Sequence, residues 1–317
     1  MNRMDRFHAA VEGRSVDRIP FIMWLHFVTS SLDGAESARL HARFFREFDL
    51  DAAKVISDYR WPLPAGMETF ESPRDMAKIR VADMADDSFQ QQFRLHRVLR
   101  ADLGADWPLM DTSFDPVQQI TRKTGLDTTQ MIYDNPRESK PMLEAITESL
   151  ILYIRELKKI GVDSVLYSIH GAICPPHGIG IDEATFNEFH KPYDIAVLEE
   201  MKGMVRVLHA CQWHLDFNRI KDYPFEVLSW ADRHETNPSL AAAREFFPGK
   251  CLMGGFDHTK VIGRSLPALR AEVKDAIAQT GGRQMILAPG CTIASQVPCH
   301  LIDCIRRTAD EAGPVTV

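Results

Sequence analysis

Short apolar segments alternate along this chain with longer amphipathic ones. Eight of the short segments are strand candidates, and several of them are rich in Val, Ile, Leu and Met without strict alternation, which is typical of strands covered on both faces. They are Pro20–Trp24, Ala53–Ile56, Trp107–Met110, Ser164–Ser168, Val205–Leu208, Val227–Ser229, Cys251–Met253 and Met285–Ala288. The pattern predicts eight β-strands.

The longer segments carry apolar residues every three or four positions, and they predict amphipathic helices. Arg137–Ile160 shows one apolar stripe and is followed by Gly161, a usual helix stop. The predicted helices are Ala35–Phe48, Asp87–Leu103, Arg137–Ile160, Asp182–Met201, Ser239–Phe247, Ser265–Thr280 and Val297–Ala312.

Eight strands separated by helices predict an α/β fold, a (β/α)₈ TIM barrel that forms a single domain over residues 1–317. The alternative is an open doubly wound sheet, which is disfavoured because no G-x-G-x-x-G motif follows the first strand. Between Pro116 and Asn135, two apolar segments flank Lys123-Thr124-Gly125. This region predicts a β-hairpin excursion over the C-terminal face of the barrel.

Composition narrows the functional class. The chain has 317 residues, 45% of them hydrophobic, and a net charge of -7 without a basic stripe, so we expect no nucleic-acid partner. No segment approaches the roughly 20 apolar residues of a membrane helix, and Met1–Arg6 does not resemble a secretory signal. We therefore expect a cytoplasmic protein that does not enter membranes. Its six cysteines are then thiols or metal ligands rather than disulfides.

Side chains that can bind metal or carry protons follow seven of the eight predicted strands. Because the C-terminal strand ends of a TIM barrel surround one pocket, these side chains predict a common site. In chain order they are His26, Asp58, Tyr59, His170, Cys174, His177, His209, Cys211, Asp232, His234, Asp257, His258 and Cys291.

The strongest pattern is His209-x-Cys211 together with Cys291. Alternate residues of an extended chain point the same way, so His209 and Cys211 can reach one point, and Cys291 follows the last strand. One imidazole and two thiolates suit tetrahedral zinc and leave one position open. A buried histidine with two core thiols is the alternative. A two-thiolate site suits activation of a thiol better than hydrolysis, which predicts methyl transfer to or from sulfur, or to another metal-activated acceptor.

Three further residues are candidates for catalysis. Asp58 is expected at the pocket floor, where it would orient substrate; a strand-end cap is the alternative. His26 is a substrate contact or a proton donor near neutral pH. Asp257, after Gly254-Gly255, is a candidate active-site carboxylate.

Four residues are candidates for substrate binding. Trp24 and Tyr59 are expected to form an apolar wall. His170 and His177 are expected to line the pocket or to belong to a lid, although loop histidines are often simply solvated.

The order of several short motifs resembles the uroporphyrinogen decarboxylase superfamily over nearly the whole chain. The motifs are Asp17-Arg18-Ile19-Pro20, Ser57-Asp58, Lys191-Pro192-Tyr193, Leu208–Cys211, Met253–Asp257 and Leu287–Cys291. True decarboxylases carry R-Q-A-G-R after the first strand and a later G-H-G. Here Trp24–Phe27 and Gly290-Cys291 stand at these places, whereas the aspartate of that family corresponds to Asp58.

Within that superfamily, the H-x-C…C pattern is similar to the zinc ligands of methylcobalamin:coenzyme M methyltransferases. The resemblance implies a zinc-dependent methyltransferase that acts on a small methylated substrate with cobalamin on a separate corrinoid protein, and it implies a homodimer. The chain has no D-x-H-x-x-G corrinoid signature of its own. Two alternatives stay open: a cofactor-free decarboxylase that uses Asp58, and a non-catalytic partner of a corrinoid protein.

Overall fold

The computed structural model describes residues 1–56 and 58–316, and its centre is one curled sheet of seven parallel strands. The strands neighbour one another in chain order, as in a TIM-like barrel. They are β1 (Ala53–Lys54), β2 (Leu109–Phe114), β3 (Ser164–Ile169), β4 (Val205–Ala210), β5 (Val227–Trp230), β6 (Cys251–Phe256) and β7 (Met285–Pro289).

The predicted first strand, Pro20–Trp24, is present only as a single parallel bridge between Phe21 and Leu287. The amide of Ile22 donates to the Leu287 carbonyl at 3.0 Å, and the Asp51 amide donates to the Phe21 carbonyl at 2.8 Å. This segment therefore connects β7 to the chain just before β1, that is, the two edges of the sheet.

Helices surround the sheet. They are α1 (Arg3–Glu12), α2 (Gly34–Glu47), α3 (Pro73–Met76), α4 (Asp87–Leu103), α5 (Pro116–Thr124), α6 (Thr128–Asp134), α7 (Pro136–Ile160), α8 (Glu183–Phe189), α9 (Lys191–Glu200), α10 (Leu240–Phe246), α11 (Leu266–Thr280) and α12 (Cys299–Asp310). None of those in the described part of the chain has the length and apolar character needed to traverse a lipid bilayer.

The predicted β-hairpin between Pro116 and Asn135 is wrong, because the region forms α5 and α6. Asp115 caps α5 by accepting from the Gln118 amide at 2.8 Å, and Pro116 occupies the first turn, where a missing amide hydrogen costs nothing. The buried apolar residues Val117 and Ile120 lie three positions apart, which is helical spacing.

The predicted helix Asp182–Met201 is two helices, α8 and α9, which meet at His190. Pro192 has no amide hydrogen, and its ring would clash with the carbonyl four residues earlier in a continuous helix. The chain therefore breaks before this proline.

The interior of the sheet changes character along its length. Apolar residues fill the end near α1, among them Met110, Val207 and Ile286, which pack with Phe7. Towards the strand ends, polar side chains replace them. They are Lys54, Thr112, Ser168, His209 and Ser229. This polar end of the interior holds the candidate site.

Candidate metal centre

The structure brings His209, Cys211 and Cys291 together at the C-terminal end of the sheet. His209 lies in β4, Cys211 follows directly after it, and Cys291 lies two residues beyond β7. One ligand atom from each lies within 4.8 Å of the others. Tetrahedral zinc with bonds of about 2.0–2.3 Å places its ligand atoms roughly 3.5–3.8 Å apart, so small side-chain rotations bring this donor set to zinc geometry.

A hydrogen bond at Nδ1 orients the His209 imidazole. Its Nδ1 lies 3.0 Å from the Ser229 hydroxyl oxygen on β5, and the side chain is almost completely buried. A hydrogen on Nδ1 that is donated to Ser229 leaves the Nε2 lone pair free. Metal-binding histidines are usually held by such a contact on their second nitrogen.

The two thiols of the cluster influence each other strongly. The hydrogen bond from Cys211 lowers the pKa of Cys291 well below its usual value, against the opposing effect of burial, and His209 contributes in the same direction. The same contact raises the pKa of Cys211. One thiolate therefore forms readily here, and thiolate is the form that binds metal.

A close approach of two strand ends sets the position of Cys291. A Cβ atom on Gly290 would lie 2.6 Å from the Ala231 Cα atom, just beyond β5. The Gly290 amide also donates to the Phe256 carbonyl at 3.2 Å. Only glycine allows β7 to end this close to its neighbours.

The cluster lines a cavity of about 130 Å³. Apolar and aromatic side chains form much of its wall, and the polar ones are placed at a few points, as in small-molecule sites. The lining consists of Trp24, His26, Lys54, Ile56, Thr112, Phe114, Arg122, Leu166, Ser168, His209, Cys211, Cys291 and Thr292. Among these described residues there is no carboxylate.

Lys54 is a cavity residue that the sequence reasoning missed. Only 2% of it is exposed, its Nζ donates to the Thr112 hydroxyl at 2.6 Å, and it lies 4.6 Å from the centre of the Trp24 ring. Burial lowers the pKa of Lys54 to about 7, while Cys291 and Asp111 oppose the shift. The sequence signal that could have identified it is a lysine inside an otherwise apolar predicted strand, Ala53–Ile56.

Arg122 is a second missed cation, at the rim of the cavity. Its guanidinium lies over the Phe114 ring, 3.6 Å from the ring centre, and burial lowers its pKa to about 10. The hairpin prediction gave Arg122 no role, whereas the structure places it in α5.

His26 and Asp58 form a pair beside the cavity. His26 lines it, and its Nδ1 lies 2.9 Å from an Asp58 carboxylate oxygen that does not itself line the cavity. Burial acts to raise the pKa of Asp58, but hydrogen bonds from His26 and the Thr29 amide outweigh it and lower the pKa. Ser57, quoted with Asp58 in the motif, lies outside the described residues.

Of the four predicted substrate-binding residues, only Trp24 lines this cavity. Tyr59 borders a separate, smaller cavity and donates its hydroxyl to the Leu32 carbonyl. His170 does not line this cavity, and burial lowers its pKa to about 4. His177 stacks on His214 in the outer loops, with ring centres 3.4 Å apart.

The predicted catalytic carboxylate Asp257 does not face the metal cluster. Its oxygen accepts from the Thr259 amide and hydroxyl, at 2.9 and 2.6 Å, so it closes the turn after β6. Asp232, which also follows a predicted strand, accepts from the Gly255 amide at 2.9 Å.

The family model for uroporphyrinogen decarboxylase (URO-D) matches residues 2–312. The chain belongs to the URO-D family. No curated protein sequence matches it. The family name covers the fold and this arrangement of strand ends, while the activity of an individual member depends on its site.

Solved structures resemble this URO-D chain at low sequence identity. A methyltransferase from Methanosarcina mazei superposes with a TM-score of 0.80 and 19% identity, covering 98% of this chain and 99% of its own. A B12-independent methionine synthase from Shewanella sp. W3-18-1 gives a TM-score of 0.59 and 11% identity, with 94% and 96% covered. A putative one from Listeria monocytogenes gives 0.55 and 14%, with 93% and 96% covered. At these identities the likeness concerns the fold.

Proposed function

We propose that this URO-D family member is a zinc-dependent methyltransferase that moves a methyl group from a small methylated compound or a methylated corrinoid protein to a thiol or similar acceptor. The observation that carries the proposal is the convergence of one imidazole and two thiols within 4.8 Å at a cavity. The fold likeness to a methyltransferase supports it.

The donor set fits zinc, with His209, Cys211 and Cys291 as its ligands and one position left for the acceptor. When bound, zinc lowers the pKa of a thiol and keeps it as a nucleophilic thiolate. His26, held by Asp58, can accept the proton that the acceptor loses. Trp24 and Phe114 limit water around the sulfur. The sulfur then forms a bond to the methyl carbon, and the donor atom leaves with the electron pair of the broken bond.

The experiment compares zinc content and methyl transfer in matched variants. We expect about one zinc per purified chain, and we expect His209→Ala, Cys211→Ser and Cys291→Ser each to lose it. Free methylcobalamin serves as donor probe and 2-mercaptoethanol as acceptor probe, and the loss of methylcobalamin absorbance reports transfer. Cys299→Ser, which changes an exposed cysteine on α12, is the control and should keep both properties.

A Cys211→Ser/Cys291→Ser double variant that keeps full zinc and full activity would refute the proposal. A cofactor-free decarboxylase is the second candidate, supported by the family and by Asp58 beside the cavity. That activity would survive chelation and release carbon dioxide, whereas the proposed methyl transfer would stop.

A further inference from the structure

Lys54 is a buried lysine that has no acidic partner within residues 1–56 and 58–316, and this makes it unusual. Its side chain is 2% exposed, and its one hydrogen-bond acceptor is the neutral hydroxyl of Thr112. Within residues 1–56 and 58–316, no carboxylate lies at ion-pair distance from its Nζ. Charged groups are rarely buried unless they are paired, so an unpaired ammonium in a cavity wall calls for a negative partner.

Of the groups around Lys54, the Cys291 thiolate can supply negative charge in the metal-free protein, but a bound zinc would neutralise that charge. Asp111 lies in the same strand as Thr112, but it is fully buried and already bound to His96 at 2.7 Å and to Gln92 at 2.8 Å. The other ionisable groups that line the cavity are His26, Arg122 and the three residues of the metal cluster. The Trp24 ring offers only its face, 4.6 Å away.

The charge of the proposed metal centre suggests what the partner is. A divalent zinc with two thiolates and one neutral imidazole carries no net charge. An anionic ligand at the open position makes the centre negative by one unit, in the cavity that Lys54 lines. Opposite charges inside a protein attract more strongly than in water.

We propose that Lys54 is the counter-charge of an anionic ligand at the open metal position, so that the cavity selects anions such as thiolates over neutral ligands of similar size. This role makes Lys54 a specificity-determining residue, and it rests on the metal site of the proposed function.

The test uses the full chain loaded with Co²⁺, whose visible spectrum reports ligands at the open position. Azide and thiocyanate are the anionic probes and imidazole is the neutral one. In Lys54→Met, we expect the Kd for both anions to rise roughly 10- to 100-fold, as expected for loss of a nearby charge at intermediate dielectric. The Kd for imidazole and the cobalt stoichiometry should stay within about twofold, which a merely structural role for Lys54 would not produce.

Two controls complete the design. Lys159→Met removes an exposed ammonium on α7 and should leave every Kd unchanged. Lys54→Arg keeps the charge and should retain the preference for anions. If Lys54→Met fails to fold, Lys54→Arg still tests the proposal. An Arg variant that binds Co²⁺ but not azide would then overturn it.

The outcomes separate the two proposals. A wild-type chain that binds no Co²⁺ removes the metal site and both proposals with it. A chain that binds Co²⁺ and shows the same azide affinity with and without the Lys54 charge overturns the counter-charge alone and leaves the methyltransferase proposal intact.

Discussion

The contact between His209 and Ser229 shows how much of this site depends on single atoms. The two residues are direct partners in the register of β4 and β5, so their side chains lie on the same face of the sheet. Because Ser229 occupies Nδ1, Nε2 is the nitrogen that stays available to a metal.

Removing this hydroxyl is expected to weaken metal binding without removing a ligand. Ser229→Ala should lower the zinc affinity about 10- to 100-fold, because the imidazole loses the contact that fixes its orientation and tautomer. Competition with a chelator of known affinity measures the change. Ser113→Ala is the control, since this buried serine on β2 does not line the metal cavity and its hydroxyl has no described partner. Equal affinities in all three proteins would contradict the orienting role.

At this scale, spacing in the sequence was enough for part of the site only. His209 and Cys211 could be paired because they alternate in one extended segment, and Cys291 because it follows the last strand. Ser229 and Lys54 could not be assigned to the site from the sequence, because their roles depend on which strands are neighbours and on the register between them. Asp257 shares the strand-end position of the ligands, but its carboxylate closes a local turn.

Among the elements, the end of β7 determines whether Cys291 can reach the cluster. Gly290 packs against the backbone of Ala231, so the chain has no room there for a side chain. The proposed metal site would thus depend on contact between the ends of β5 and β7 as well as on its three candidate ligands.

A methyl group at this position should push the two strand ends apart. We expect Gly290→Ala to lower zinc affinity at least about tenfold and to destabilise the fold by about 1–3 kcal/mol, as overpacking usually does. Chelator competition and chemical denaturation measure the two effects. Gly263→Ala is the control, because the nearest atom to its added Cβ lies 3.9 Å away. Unchanged zinc affinity in Gly290→Ala would show that the strand ends adapt.

The sequence predicted seven strands and most of the long helices, whereas the predicted first strand is present only as the bridge at Phe21. Continuous short apolar segments such as Cys251–Met253 are typical of strands that are buried on both faces, and β6 is fully buried. Residues 116–135 failed because Val117, Ile120 and Ile132 fit a helix as well as a strand, and the capping role of Asp115 decides between them. The apolar residues around Phe21 do not reveal that this segment forms a single bridge instead of a full strand.

The whole molecule is held together at the opposite end of the sheet by an ion cluster around Asp51. This fully buried carboxylate accepts from Arg6 at 2.7 Å, Arg18 at 2.9 Å and Arg306 at 3.0 Å. Arg6 belongs to α1 and Arg306 to α12, so the cluster joins both ends of the described chain to the start of β1. The sequence predicts the barrel from its repeated pattern, but this cluster only appears once the barrel brings distant segments together.

Neutralising Asp51 is expected to destabilise the whole fold. Asp51→Asn leaves three guanidinium groups without their shared anion, which typically costs about 3–5 kcal/mol for a buried pair. Denaturant unfolding measures the loss, and zinc stoichiometry at low temperature should not change. Glu311→Gln, which breaks an exposed pair with Arg270, should leave the free energy of unfolding nearly unchanged, because solvent screens exposed ion pairs. Similar losses in the two variants would contradict the structural role of Asp51.

The size of the cavity restricts how a methyl group can arrive. At about 130 Å³ it is comparable to an engineered protein cavity that takes up benzene, so a corrin ring has no room inside. A cobalt-bound methyl group would have to be presented from outside, with only its carbon passing the entrance. The outer loops would then determine which large methyl carrier binds. A change of carrier in evolution would alter these loops and leave the residues inside the cavity unchanged.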